Sequence, residues 1–293
     1  MPIVEHLRTT AACASFAALI LSAPLAAHPR HVVHHPQGPG VRSNAALVID
    51  TQNSTVLYAK HPDLVQPIAS ITKLMTALVV LDAKQPLDQR IRITSVDRIH
   101  GKGWYSRLAV GTTLSRRDLM HLALMASENR AARTLAENYP GGLPAAIRAM
   151  NAKARALGMT HTHFDDPTGL SSHNVSSPED LAKLVLAASR NPTIREFSTA
   201  RHFTVRVRRR PVEFRTTDRL VANPAWKIIV QKTGFINEAG HCLVMETVIG
   251  GRRVVMVLLD SVGKYTRVAD AVRVRRWIEH GGLAERGSRL SMR

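Results

Sequence analysis

Cysteine is almost missing from this chain, with two residues in 293, Cys13 and Cys242. Cys13 lies in an N-terminal segment expected to be removed, so no internal disulfide can form and stability must come from a hydrophobic core. Cys242 sits in the apolar run His241-Cys242-Leu243-Val244-Met245, which predicts a buried structural thiol rather than a reactive one. Acidic residues are also scarce, 22 against 40 lysines and arginines, for a net charge of +18. Such a balance favours polyanions, and for an exported protein these are anionic envelope polymers and membrane surfaces rather than nucleic acid; a solvated basic surface explains the charge equally well. No apolar stretch has the length and bulk of a good membrane span. The longest, Ala11 to Ala27, is interrupted by Cys13, Ser15, Ser22 and Pro24 and ends in Pro24-Leu25-Ala26-Ala27, which suits a signal peptidase. Residues 1–27 are therefore read as a cleaved export signal, with an uncleaved anchor as the alternative, and the remainder as periplasmic.

No repeat or long linker divides the rest of the chain. Residues 28–42 hold three prolines, two glycines and four histidines, a composition that cannot bury a core and predicts a flexible leader. One folded domain over 43–280 and a basic tail over 281–293 complete the expected organisation. Ala45–Asp50 and Thr55–Lys60 read as a β-hairpin, and Ala69–Asp82 as a buried helix with Ser70 and Lys73 in its first turn. Helix signals dominate Ser115 to Arg190: Ser115 before Asp118, Ser177-Pro178-Glu179-Asp180, and a periodic stretch opened by Pro144 and closed by Gly158. Strands return at Ile228–Gly234, with Ile228, Ile229 and Val230 fully buried, then at Cys242–Ile249 and Arg253–Asp260 around Gly250-Gly251, and a basic amphipathic helix ends the fold. The run Arg206-Val207-Arg208-Arg209-Arg210 continues Phe203-Thr204-Val205 in alternation and reads as a solvated strand face. Strands at both ends with helices between them imply an α+β fold: one mainly antiparallel sheet built from both termini, flanked by helices, with an all-helical subdomain.

Three short motifs carry the chemistry: Ser70-Ile71-Thr72-Lys73, Ser127-Glu128-Asn129 and Lys232-Thr233-Gly234. A Ser three residues before a Lys arises by accident roughly once in such a chain at ordinary residue usage; the ordered triplet is far more specific. A serine hydroxyl needs a base within reach to become a nucleophile, and residues i and i+3 share a helix face, so Lys73 stands beside Ser70. Lysine is a base only when neutral, which calls for desolvation and a second positive charge, here expected from Lys232. The inter-helix turn Ser127-Glu128-Asn129 offers Ser127 as proton shuttle to a leaving amine and Asn129 as partner for Lys73 and a substrate amide. Lys232 and Thr233, closing a strand, are placed to hold a substrate carboxylate. Gly234 permits close backbone approach, and the N–H of Phe235 completes an oxyanion hole with one of the free backbone N–H groups at the helix start that carries Ser70.

From about Ala45 to Arg276 the chain resembles the low-molecular-mass penicillin-binding proteins, the D-alanyl-D-alanine peptidase family. The stretches that carry the resemblance are Ser70-Ile71-Thr72-Lys73-Leu74-Met75-Thr76-Ala77, Leu122 to Ala132, Pro167-Thr168-Gly169-Leu170 and Lys232-Thr233-Gly234-Phe235. Arg130 after Asn129 points to the penicillin-binding protein 7 branch, described as endopeptidases. The resemblance implies a β-lactamase/transpeptidase-like fold, a peptidoglycan peptide as substrate, and β-lactam antibiotics as covalent inhibitors. Thr216-Thr217-Asp218 departs from the Asn-containing stretch expected there.

Three rivals compete. A class A β-lactamase needs a deacylating glutamate in a Glu-x-x-Leu-Asn setting; the nearest segment, Glu179-Asp180-Leu181-Ala182, lacks the Asn and reads as a helix start. A zinc peptidase has only His161-Thr162-His163 with Asp165 and Asp166 to offer. A non-catalytic wall-binding protein has no need of all six polar motif residues. The expectation is a serine D,D-endopeptidase cleaving D-alanyl cross-links, with a carboxypeptidase as runner-up: Ser70 as nucleophile, Lys73 as base, Ser127 as proton donor, and no metal or cofactor.

Overall fold

The computed structural model describes residues 38–96 and 106–280; the expected signal segment, most of the leader and the tail from 281 fall outside them. In chain order the elements are β1 (Ala45–Asp50), β2 (Thr55–Lys60), β3 (Gln66–Pro67), a 3-10 turn (Ala69–Ile71), α1 (Thr72–Asp82), β4 (Arg90–Arg92) and β5 (Thr113–Ser115). Helices α2 (Arg116–Met125), α3 (Asn129–Glu137) and α4 (Gly142–Ala156) come next, then β6 (Val175–Ser176), α5 (Pro178–Ser189) and α6 (Pro192–Ser198). The last elements are β7 (His202–Val207), β8 (Arg210–Arg215), a 3-10 turn (Arg219–Ala222), β9 (Lys227–Ile236), β10 (Gly240–Ile249), β11 (Arg252–Ser261) and α7 (Thr266–Glu279).

The five-stranded sheet runs β2-β1-β11-β10-β9 and every pairing in it is antiparallel. Its central strands are apolar on both faces, because successive side chains point to opposite sides and both sides are covered. Leu47, Val244, Val255 and Val257 join the core shared with α1, α2, α5 and the other helices, whereas Val48, Met245, Val254 and Met256 pack with Ala271, Val274 and Ile278 of α7. Strands from the two termini meet at β1 and β11, with Ala45 opposite Leu259, as the α+β reading requires. Asp270 of α7 reinforces that junction by accepting the N–H groups of Arg42 and Ser43 at 3.0 and 2.7 Å. Val41 is buried, so the last residues assigned to the leader by composition already belong to the fold. Among the described residues no helix is long and apolar enough to cross a membrane.

Local signals set most boundaries. Ser115 and Asp118 form a reciprocal capping box on α2, and the Ser177 side chain accepts the Asp180 N–H at the start of α5; caps of this kind contribute about 1 kcal/mol each. Helix α4 begins at Gly142, two residues before Pro144, and closes with Gly158 at φ +68°. There the Met159 N–H reaches Ala154 O and the Gly158 N–H reaches Arg155 O, the paired bonds of a Schellman end. Gly250 and Gly251 both take positive φ in the β10–β11 turn, as a two-residue hairpin demands.

Several expectations need correction. Ser70 lies in a 3-10 turn ahead of α1 rather than in the helix proper. The strand carrying Lys232-Thr233-Gly234 does not close there; β9 runs on to Ile236 because Phe235 and Ile236 pair with His241 and Gly240. Ile228 and Ile229 are only half-buried, since β9 is an edge strand. The arginine run stops being a strand at Val207: Arg208-Arg209 form a turn, and β8 returns antiparallel to β7 as a separate two-stranded sheet.

Candidate active site

The site forms where edge strand β9 meets the turn before α1 and the α2–α3 junction. Two of its residues sit in the left-handed region although neither is glycine: Ala69 at φ +48°, just before Ser70, and Ser127 at φ +57°. Such conformations cost on the order of 1–3 kcal/mol each and persist only where surrounding contacts impose them. For Ala69 the contacts are explicit. The Thr72 hydroxyl donates to Ala69 O at 2.8 Å, and the Ile68 N–H to Asn174 O at 3.1 Å.

Lys73 is wholly buried and its Nζ lies 2.7 Å from Ser70 Oγ, 2.7 Å from Asn129 Oδ1 and 2.6 Å from Thr168 O. An ammonium spends all three N–H donors on these oxygens. A neutral amine spends two, on the amide and the carbonyl that can only accept, and turns its lone pair toward the Ser70 hydroxyl. Burial pushes the Lys73 pKa down to about 7 against the opposing pull of Asp166 and Glu128. The positive charge expected to help from Lys232 is thus not the main cause; desolvation is. Lys232 is itself driven well below the usual range, by burial first and then by Lys73 and Arg267. Its Nζ donates to Ser127 Oγ and to Thr233 O, both at 2.8 Å.

Two chains of contact result, Ser70–Lys73–Asn129 and Ser127–Lys232, and backbone packing brings them together. A Cβ on Gly234 would fall 3.0 Å from Ile68 O and 3.1 Å from Ser70 N, so a side chain there would push β9 and the Ser70 turn apart by a few tenths of an ångström. Asn129 is the first residue of α3 rather than part of the preceding turn, and the buried Glu128 caps that helix by accepting the Arg130 N–H. Thr233 Oγ1 meets Thr217 Oγ1 at 2.5 Å. Phe235 is half exposed and stacks on His241 with ring centroids 4.3 Å apart; its side chain joins neither contact chain. Cys242 is buried, with its thiol pushed up to about 12 by burial.

Sequence reasoning missed much of what holds these groups. Asp166 accepts the Thr168 and Gly169 N–H groups on one oxygen and the Ser171 N–H, at 2.7 Å, on the other. Asn174 accepts the Asp165 and Asp166 N–H groups and donates to Thr72 Oγ1 and Asp166 O. Together they shape the loop that presents Thr168 O to Lys73. Arg267 from α7 is half-buried and reaches His241 Nδ1 at 2.7 Å and Gly234 O at 3.4 Å. Thr217 replaces the expected Asn-containing rim with a hydroxyl. Arg130 is bound to Leu108 O, so this side chain is spent on the neighbouring loop. Asp166 has its oxygens committed to the loop's N–H groups, and His161 and His163 are exposed. Among the described residues no three His, Cys, Asp or Glu side chains cluster as a metal site.

Comparison with known proteins identifies the family. The family description peptidase S11, D-alanyl-D-alanine carboxypeptidase, matches residues 32–263. The chain belongs to the peptidase S11 family. It is 50% identical over 268 residues to a D-alanyl-D-alanine endopeptidase of Pseudomonas aeruginosa, covering 91% of this chain and 86% of the relative. It is 51% identical over 245 residues to a D-alanyl-D-alanine endopeptidase of Escherichia coli, covering 83% and 79%. The solved Streptomyces K15 DD-transpeptidase superposes with a TM-score of 0.75 at 28% identity, covering 82% of this chain and 98% of that one. Penicillin-binding protein D2 of Listeria monocytogenes, in a cefotaxime-bound form, superposes at 0.70 with 31% identity, covering 80% and 96%. The fold is therefore the transpeptidase-like one that the resemblance implied, with its sheet built from strands at both termini, and the three motifs stand together in it.

Proposed function

We propose that the protein is a serine D,D-endopeptidase that hydrolyses D-alanyl cross-links of peptidoglycan in the periplasm, exported by residues 1–27, with the catalytic domain spanning 43–280. The observation that carries the reading is Lys73 Nζ, with its pKa near 7, at 2.7 Å from Ser70 Oγ, in a chain about half identical to D-alanyl-D-alanine endopeptidases.

In this mechanism the Ser70 hydroxyl proton passes to the Lys73 lone pair as Oγ attacks the D-Ala carbonyl carbon. The Ser70 and Phe235 N–H groups face the oxyanion that develops. The C–N bond breaks, and the departing amine takes a proton from Ser127, whose hydroxyl is held by Lys232. The proton that Lys73 took from Ser70 then replaces the one lost by Ser127, leaving Lys73 neutral; water attacks the ester carbonyl carbon while giving a proton to Lys73, and the carbonyl–Oγ bond breaks as that proton passes to Ser70 Oγ, releasing the acid and restoring the serine. Asn129 holds the Lys73 amine and the substrate amide. Arg267 supplies a positive group, Thr233 a hydroxyl and Lys232 its N–H donors for the acidic end of the peptide. β-Lactams would acylate the same serine. The protein requires no metal or cofactor for these steps.

A D-alanyl-D-alanine carboxypeptidase is the second reading, favoured by the name of the matching family and of more distant relatives. Cross-linked dimers and pentapeptide monomers, offered side by side and resolved by chromatography, separate the two. Dimer cleavage exceeding D-Ala release is expected. Free D-Ala from monomers with dimers left whole makes the enzyme a carboxypeptidase.

A further inference from the structure

The β7–β8 hairpin takes no part in the chemistry above, yet it concentrates charge in an unusual way. Its inward face is firmly seated: Val205, Val207 and Phe214 are in the core, and Phe203 stacks on His121 at 4.1 Å. The register places Arg206 opposite Pro211 on the solvent face, and the turn Arg208-Arg209 and Arg210 are exposed beyond it. The hairpin has one carboxylate, Glu213, and Arg215 occupies it at 2.6 Å. Among the described residues, the side chains of Arg206, Arg208, Arg209 and Arg210 meet no hydrogen-bond or ion-pair partner.

The turn itself is a costly place for them. Arg208 and Arg209 both take positive φ, +47° and +67°, the two positions of a tight hairpin turn where Asn-Gly would be relaxed. Strain held at side chains that contact nothing inside the protein points to a contact outside it. The base of the hairpin is tied to both halves of the site. Thr217, two residues past β8, donates its N–H to Met125 O at 3.2 Å, just before the Ser127 motif, and its hydroxyl meets Thr233 at 2.5 Å. Arg208 lies nine residues before Thr217, so the tip stands up to about 30 Å of extended chain from the cleft.

We propose that this hairpin is an electrostatic docking arm for the acidic stem peptides of the insoluble wall polymer. The proposal rests on the peptidoglycan reading above. An arm fixed to the cleft assists a ligand continuous with the substrate, and a polymer bearing repeated carboxylates presents one at any separation up to that limit. Guanidinium forks suit carboxylates, which they bind through two parallel hydrogen bonds.

The test is the triple variant Arg206→Gln, Arg208→Asn, Arg209→Gly, which removes three charges and relaxes the turn. Labelled-penicillin acylation and cleavage of soluble cross-linked dimers should match wild type, which also certifies folding. Sedimentation with isolated sacculi and their digestion at about 0.1 M salt should fall on the order of 10-fold, and the dependence on ionic strength should flatten. Wild-type binding and digestion of sacculi by the variant overturn the arm. So does a loss of binding confined to anionic phospholipid vesicles, which would assign the arginines to a membrane surface. A wild-type enzyme that cleaves neither dimers nor sacculi refutes the peptidase reading instead, while sacculus sedimentation still reports on the arm.

Discussion

A Cβ atom on Gly169 would sit 1.9 Å from the carbonyl oxygen of Ala69, the residue that precedes Ser70. The Asp166–Asn174 loop therefore lies against the Ser70 turn at a separation only glycine allows, and Gly169 also takes φ +80°. Gly169→Ala must push the two segments apart and move Thr168 O away from Lys73. Displacement of about 1 Å at a reacting centre can cost about 100-fold in rate. Penicillin acylation of Gly169→Ala should fall by roughly that factor, and an unchanged rate would show that the loop contact does not position Ser70.

The Lys73 amine should appear in the pH profile of acylation. Below a pKa of about 7 the ammonium has no lone pair to accept the Ser70 proton, so the rate should drop on the acid side with a midpoint near that value. Asp166 favours the charged form of Lys73; removing its charge in Asp166→Asn should lower the Lys73 pKa and shift the acid limb to lower pH. Lys73→Ala should lose about 100-fold to 10,000-fold in acylation rate while remaining folded. A limb that stays in place in Asp166→Asn separates the loop carboxylate from the titration.

Labelled penicillin should attach to Ser70 and persist. No glutamate stands in the setting that activates a deacylating water in class A β-lactamases, and Asp166, the carboxylate of the adjoining loop, has both oxygens taken up by backbone N–H groups. Mass spectrometry over time is the measurement. Absence of the adduct in Ser70→Ala is expected, and rapid release of hydrolysed penicillin from wild type would move the enzyme toward a lactamase.

Thr217→Val removes the hydroxyl that meets Thr233 Oγ1 at 2.5 Å and keeps the side-chain volume. If Thr233 anchors the substrate carboxylate, loss of its partner should raise KM several-fold, from the roughly 1 kcal/mol typical of such a bond, and leave kcat nearly constant. A fall in kcat at constant KM would place the pair in the chemical step.

Much of the architecture was readable from local pattern. The β1–β2 hairpin, the caps at Ser115 and Ser177 and the Gly250-Gly251 turn depend on neighbours within a few residues, where propensity and hydrogen-bonding choices act directly. Errors arose where distant contacts decide. Alternation alone extended the arginine run as one strand, since a turn with two arginines at positive φ is disfavoured by intrinsic preference. The sequence pattern ends β9 at Gly234, because the continuation to Ile236 depends on pairing with β10.

By itself, the sequence determined which reactive groups exist and which are near neighbours: a hydroxyl and an amine three residues apart on one turn, and a strand bearing a second lysine. Tertiary structure alone decided their state. The Lys73 pKa falls to about 7 because the amine is desolvated, and Thr168, 95 residues away, and Asn129, 56 away, accept its N–H hydrogen bonds; Ser127 is held by Lys232 across 105 residues. Charge state and donor geometry depend on what packs around a group in space, and no spacing along the chain encodes that.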